Sequence, residues 1–161
     1  MEELKSMPKI LGRGSDFERA HHEAFLSQLF GAYSAFLIEL NIYLKCDLPE
    51  ENISLGKLWN KIKEHNKSST VLTELYKLST DSNSWFYIAK DMRDLSTHVS
   101  GIPLAHYASI GGGVNSDRTQ LKHPITMKEY EQDAFEAFEA WLTEMEKLTD
   151  KYRLMALGEA G

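Results

Sequence analysis

The sequence is short of several things, and each shortage excludes a class of protein. One cysteine, Cys46, in 161 residues allows neither an intramolecular disulfide nor a cysteine-based zinc cluster, which fits a reducing compartment and a cytoplasmic location. Cys46 ends an apolar run and reads as a packed thiol. Only four prolines, against 42% hydrophobic and 11% aromatic residues, exclude a disordered or collagen-like chain. Positive charge is not in surplus: 24 acidic and 18 basic side chains leave a formal charge of −6, so a uniformly basic surface for nucleic acid or anionic lipid is excluded. A nucleic-acid site on this chain is therefore a local basic patch. The most apolar stretch, Phe25 to Leu44, is interrupted by Gln28, Ser34, Glu39 and Asn41, so no membrane span is expected. The start, Met1-Glu2-Glu3-Leu4-Lys5-Ser6, lacks the charged-then-apolar pattern of a secretion signal.

What remains is enough for one helical domain. Residues 1–14, with Pro8, Gly12 and Gly14, read as a flexible leader, and 15–161 as a single bundle. Ser15-Asp16-Phe17-Glu18 has the spacing of a capping box and predicts a long first helix. Phe25, Leu29, Ala32, Phe36, Leu40 and Tyr43 form one stripe on it, and Leu26, Phe30, Tyr33, Leu37 and Leu44 a second. That surface is wider than one neighbouring helix covers, so this helix is either central to the bundle or part of an oligomer interface.

Ser54 predicts the cap of a second helix, with Leu55, Leu58, Trp59 and Ile62 inward, and the polar cluster Asn66 to Thr70 predicts a break before Val71, Leu72, Leu75 and Leu78. Asp81-Ser82-Asn83-Ser84 precedes a further amphipathic helix, Trp85 to Val99, ending near Gly101 and Pro103. From Gly101 to Pro124 the helical period disappears, and Ala105–Ile110 and Arg118–His123 around a glycine-rich tip suggest a small β-hairpin. Thr126-Met127-Lys128-Glu129 repeats the capping-box pattern and predicts that the last helix opens there. The expected fold is all-α: an antiparallel bundle of four to five helices with a long loop or hairpin excursion before the last helix.

Chemistry concentrates at the end of the helix that follows Ser84, in Lys90-Asp91-Met92-Arg93-Asp94-Leu95-Ser96-Thr97-His98. Asp94 and His98 are four apart and share a face, so the carboxylate is placed to accept from one ring nitrogen and raise the basicity of the other. Arg93 and His98 are five apart, about 140° around a regular helix. They converge on one ligand only if the helix end unwinds or two copies meet across a symmetry axis. An arginine fork suits phosphate oxygens and a histidine moves protons near neutral pH, a pairing fit for a phosphodiester.

Arg93-Asp94-Leu95-Ser96-Thr97-His98 resembles the Arg-x(4 to 6)-His motif of the HEPN superfamily, the higher eukaryotes and prokaryotes nucleotide-binding domain, in which a polar residue often follows the arginine. The resemblance implies an all-α bundle, a homodimer in which two motifs form one cleft, and a metal-independent ribonuclease of toxin–antitoxin, abortive-infection or RNA-processing type. Arg93 and His98 would carry the catalytic roles and Asp94 the polar auxiliary one, with RNA as substrate and an antitoxin protein as partner. No cofactor is implied. The alternative is a non-catalytic helical dimer module that binds a protein partner or a nucleotide.

Arg118 to His123 repeats the Arg/His spacing, but it follows the glycine run, lacks the polar second residue and precedes Pro124. Arg118, Lys122 and His123 are read as substrate-binding members of a local basic patch that includes Lys128. Adjacent His21 and His22 near a helix start read as solvated, and with neither a His-x-x-x-His nor a Glu-x-x-His pair read on one helical face no metal site is expected. Acidity gathers towards the last helix, at Glu129, Glu131, Asp133, Glu136, Glu139, Glu144 and Glu146, while segments 57–67 and 118–128 are basic.

Overall fold

Polar side chains ahead of apolar-periodic runs divide the chain into helices. The computed structural model describes residues 13–65, 67–98, 104–107, 118–122 and 129–160, with side chains for 19–65, 67–95 and 133–159. In chain order they form α1 (Arg13–Tyr43), a 3-10 turn (Glu50–Asn52), α2 (Leu55–Glu64), α3 (Thr70–Thr80), α4 (Trp85–His98), β1 (Leu104–Tyr107), β2 (Arg118–Lys122), β3 (Glu129–Asp133) and α5 (Ala134–Ala160). The fold is an all-α bundle with a small strand excursion before the last helix.

Ser54 opens α2 by accepting from the amide of Lys57 at 3.3 Å. Ser69 opens α3 by accepting from Leu72 at 3.2 Å. Ser84 Oγ accepts from Tyr87 at 3.0 Å in the first turn of α4. Each hydroxyl satisfies a backbone donor that the helix itself leaves without a partner. Because Ser69 is 4% exposed, water replaces its hydroxyl poorly. Ser69→Ala is therefore expected to lower stability by about 1 kcal/mol, read as a shift in the urea midpoint at unchanged slope.

The break after Tyr43 has its own clamp. The Asn41 side chain donates to the Leu48 carbonyl at 3.0 Å and accepts from the Leu48 amide at 3.1 Å, while Lys45 and Asp47 take left-handed backbone conformations (φ 53° for each). Cys46, between them, is 1% exposed, the packed thiol expected, and burial pushes its pKa up.

Helix α1 is the centre of the bundle. Leu26, Leu29, Phe30, Tyr33, Phe36, Leu37, Leu40 and Leu44 are all buried, and of the expected stripe positions Ala32 lies exposed. The segment Arg19–Tyr43 is long and apolar enough by length and composition to cross a membrane, but these apolar stripes face the core. Phe86 of α4 packs on Tyr33 and Phe30, and Phe138 of α5 packs on His22 and Phe25. The width that left central helix or oligomer interface open is thus covered from within the chain.

The pairings set direction. Along α4, Phe86 meets Tyr33 and the later Arg93 meets the earlier Phe30, so α1 and α4 are antiparallel. Glu159 near the end of α5 accepts from the amides of Thr70 and Val71 at the start of α3, and Lys151 and Tyr152 bond Glu74, so these two are antiparallel as well. By contrast α1 and α5 are parallel: His22 meets Phe138 and, further along both, Glu39 forms a two-pronged pair with Arg153 at 2.6 and 2.8 Å. α4 therefore ends, and α5 begins, at the end of the bundle where α1 starts.

That segment holds the expected hairpin and a strand that the sequence did not suggest. β1 pairs antiparallel with β2, Leu104 opposite Leu121 through Tyr107 opposite Arg118, and residues 108–117 lie outside the described residues. β2 also pairs with β3, Lys122 opposite Glu129 and Gln120 opposite Asp133, with an irregularity between. The last helix therefore opens at Ala134 rather than at Thr126, and the expected helical position Tyr130 is in a strand. Backbone pairing with β2 overrides the local capping pattern. Asp133 supplies the start instead, accepting from the Phe135 amide at 2.9 Å. At the other end of the chain, α1 begins at Arg13, two residues before the expected Ser15 cap.

Candidate functional site

Residues of α4 and α1 build the site around Arg93. Lys90 and Asp94 are one turn apart, and Lys90 Nζ donates to Asp94 Oδ2 at 3.2 Å. The other carboxylate oxygen, Oδ1, accepts from Arg93 Nε at 2.9 Å and also from Nη2. Beneath this cluster lies Phe30 of α1, with the Arg93 guanidinium carbon 4.6 Å from the ring centre. Met92, on the inward side of α4, is fully buried and fixes the helix against the core. The Arg93 side chain is 33% exposed, so the guanidinium is supported by protein on one side and accessible to a ligand.

Burial acts to raise the pKa of Asp94, but hydrogen bonds from Arg93 and Lys90, and the charges of both, outweigh it and hold the carboxyl below the ordinary carboxylate range. A folded-state pKa below the unfolded one adds stability above the unfolded value, near pH 4, and that stability disappears as pH falls through the folded value. The stability difference between wild type and Asp94→Asn is therefore expected at pH 7 and should shrink as the pH falls below the ordinary carboxylate range. Parallel urea titrations at pH 7 and below that range check it. With Lys90 and Asp94 more than a third exposed, solvent screening keeps the difference modest.

α4 runs without interruption through His98, so the offset of about 140° between Arg93 and His98 stands, and the unwinding that would join them within one chain does not occur before His98. The His98 side chain lies outside the described residues. Asp94 accepts from Arg93 and Lys90, and its expected contact with His98 lies outside the described residues. Arg118 and Lys122 occupy the two ends of β2, and the irregularity between Gln120 and Lys122 breaks the simple alternation of faces between them. His123 and Lys128 lie outside the described residues.

The two neighbouring histidines of α1 part company. His21 is exposed, as expected, whereas His22 is 1% exposed, with its ring edge-on to Phe135 at 5.4 Å and Phe138 at 4.9 Å. Successive residues on a helix point about 100° apart, and one of the two faces α5. Beside them is a shallow cleft of about 190 Å³ lined by His21, His22, Phe25, Gln28, Phe135 and Phe138. Glu18 and His21 do have Glu-x-x-His spacing, but among the described residues no three His, Cys, Asp or Glu side chains gather as a metal site would need.

No family model matches the sequence, and no curated protein or solved structure matches it either. Two contributors to the site were missed from the sequence. Lys90 was legible, since it stands four before Asp94. Phe30 was recognised only as a core residue, because nothing in a stripe of apolar residues says which ring lies under a cation.

Proposed function

We propose that this chain is a cytoplasmic, HEPN-like, metal-independent endoribonuclease acting through Arg93 and His98. The observation that carries the reading is the supported guanidinium of Arg93 on a helix that ends at His98, within an all-α bundle of the kind the motif implies. The ribose 2′-hydroxyl would attack the adjacent phosphorus while His98 moves the proton, and Arg93 would stabilise charge growing on the phosphate oxygens. The products are a 2′,3′-cyclic phosphate and a 5′-hydroxyl. Since one regular helix points the two side chains apart, the cleft is formed by two copies of the chain, with Arg118, Lys122 and His123 gripping the RNA further out. A toxin or phage-defence role, with an antitoxin protein as partner, follows from the same resemblance.

The test is incubation of the purified protein with RNA in chelator, beside an Arg93→Ala variant. Cleavage that survives chelator and falls roughly 10²- to 10³-fold in the variant supports the reading. Activity lost in chelator, or unchanged by the substitution, removes it.

A second reading has one observation in its favour. The Arg93 charge is already balanced by Asp94 within the chain, as suits a non-catalytic module whose cleft binds a protein partner or a nucleotide. That module would bind without cutting.

A further inference from the structure

We infer that Phe30 is a positioning residue for Arg93: its ring sets the plane of the guanidinium that the reaction uses. The inference rests on the ribonuclease reading. Arg93 Cζ stands 4.6 Å from the Phe30 ring centre, well inside the distance of about 6 Å at which an aromatic face attracts a cation. The platform itself is fixed. Phe30 is 4% exposed and packs against Phe86 at 5.5 Å and Tyr33 at 6.3 Å, while Phe86 also packs against Tyr33 at 4.7 Å and Trp85 at 5.6 Å.

The ring and the carboxylate act on different degrees of freedom. A guanidinium lying over an aromatic face is confined to a plane but turns within it. Asp94 Oδ1, accepting from Nε and Nη2, grips one edge and stops the turning. Together they hold a long, flexible side chain as an oriented fork before substrate arrives, which is the form in which an arginine stabilises transition-state charge most effectively. The effect belongs to the pairing across helices: the ring comes from α1 and the fork from α4. Core packing alone asks only for an apolar side chain at position 30.

Three variants separate the two roles. Phe30→Leu keeps an apolar side chain and removes the ring face; Phe30→Tyr keeps the face; Phe138→Leu removes a buried ring that packs on His22, Phe25 and Trp141 instead. Phe30→Leu is expected to lower kcat about tenfold or more with KM little changed, since a misdirected charge weakens the transition state rather than binding. Phe30→Tyr should retain most of kcat, and Phe138→Leu should lower the melting temperature while leaving kcat within about twofold. The NMR signal of the Arg93 Nε proton, shifted by the ring beneath it, should move in Phe30→Leu and stay in Phe138→Leu. Equal kcat in wild type and Phe30→Leu, or equal losses in both leucine variants, overturns the inference while leaving the ribonuclease reading intact. A wild-type protein that cleaves no RNA removes both.

Discussion

His98→Ala is expected to slow RNA cleavage by roughly 10²- to 10⁴-fold, the usual contribution of a positioned general acid or base. The loss should fall on kcat, because the imidazole acts on a proton that moves in the transition state and does little to hold the RNA in the ground state. Arg118→Ala provides the contrast. Arg118 lies on β2, outside α4, and its expected effect is weaker binding with a shallower salt dependence, as for a phosphate contact, with kcat largely kept. Rates measured across substrate concentration, at two salt concentrations, separate the two outcomes. Equal losses in kcat from both variants would contradict the division of roles.

Phe138→Ala is expected to have the largest effect on stability, a loss of roughly 3–5 kcal/mol. Phe138 is 2% exposed, and its ring meets Phe25 at 4.8 Å, His22 at 4.9 Å and Trp141 at 5.4 Å. It is the principal ring through which α5 is seated on the beginning of α1. Removing it leaves a cavity between two long parallel helices that cannot close without moving one of them. For a chain of this size the melting temperature should drop by roughly 10 °C. Leu154, on the same helix and 73% exposed, is the control: Leu154→Ala should change stability by no more than about 0.5 kcal/mol. A melting temperature for Phe138→Ala within a few degrees of wild type would mean that α5 is seated elsewhere.

The helices were legible because their signals are local. Ser54 and Ser84 cap where the apolar period resumes, and the polar cluster ending in Ser69 and Thr70 marks the break between α2 and α3. β3 was not legible, since a strand that exists by pairing with β2 competes with the capping pattern at Thr126 only once the chain has folded. The parallel run of α1 and α5 was hidden for a related reason: periodicity reports which face is apolar and not the direction of the neighbour that covers it. His22 and His21 look alike in sequence and differ in the structure because α5 covers one of them.

At the candidate site the spacing identified Arg93, Asp94 and His98 but not their partners. The carboxylate of Asp94 bonds to Arg93, beside it in the chain, and to Lys90 one turn earlier, while the expected contact with His98 lies outside the described residues. The aromatic support beneath Arg93 comes from α1, distant in sequence, and no motif within α4 could announce it.

The most direct measurement is the identity of the ends left when the protein acts, in chelator, on a randomised RNA pool and on its 2′-O-methyl counterpart. The expected result is 2′,3′-cyclic phosphate and 5′-hydroxyl ends from the RNA, no cleavage of the methylated pool, and loss of the ends in His98→Ala. Cleavage of the methylated pool, 5′-phosphate ends, or an RNA pool left intact by the wild-type protein would contradict it.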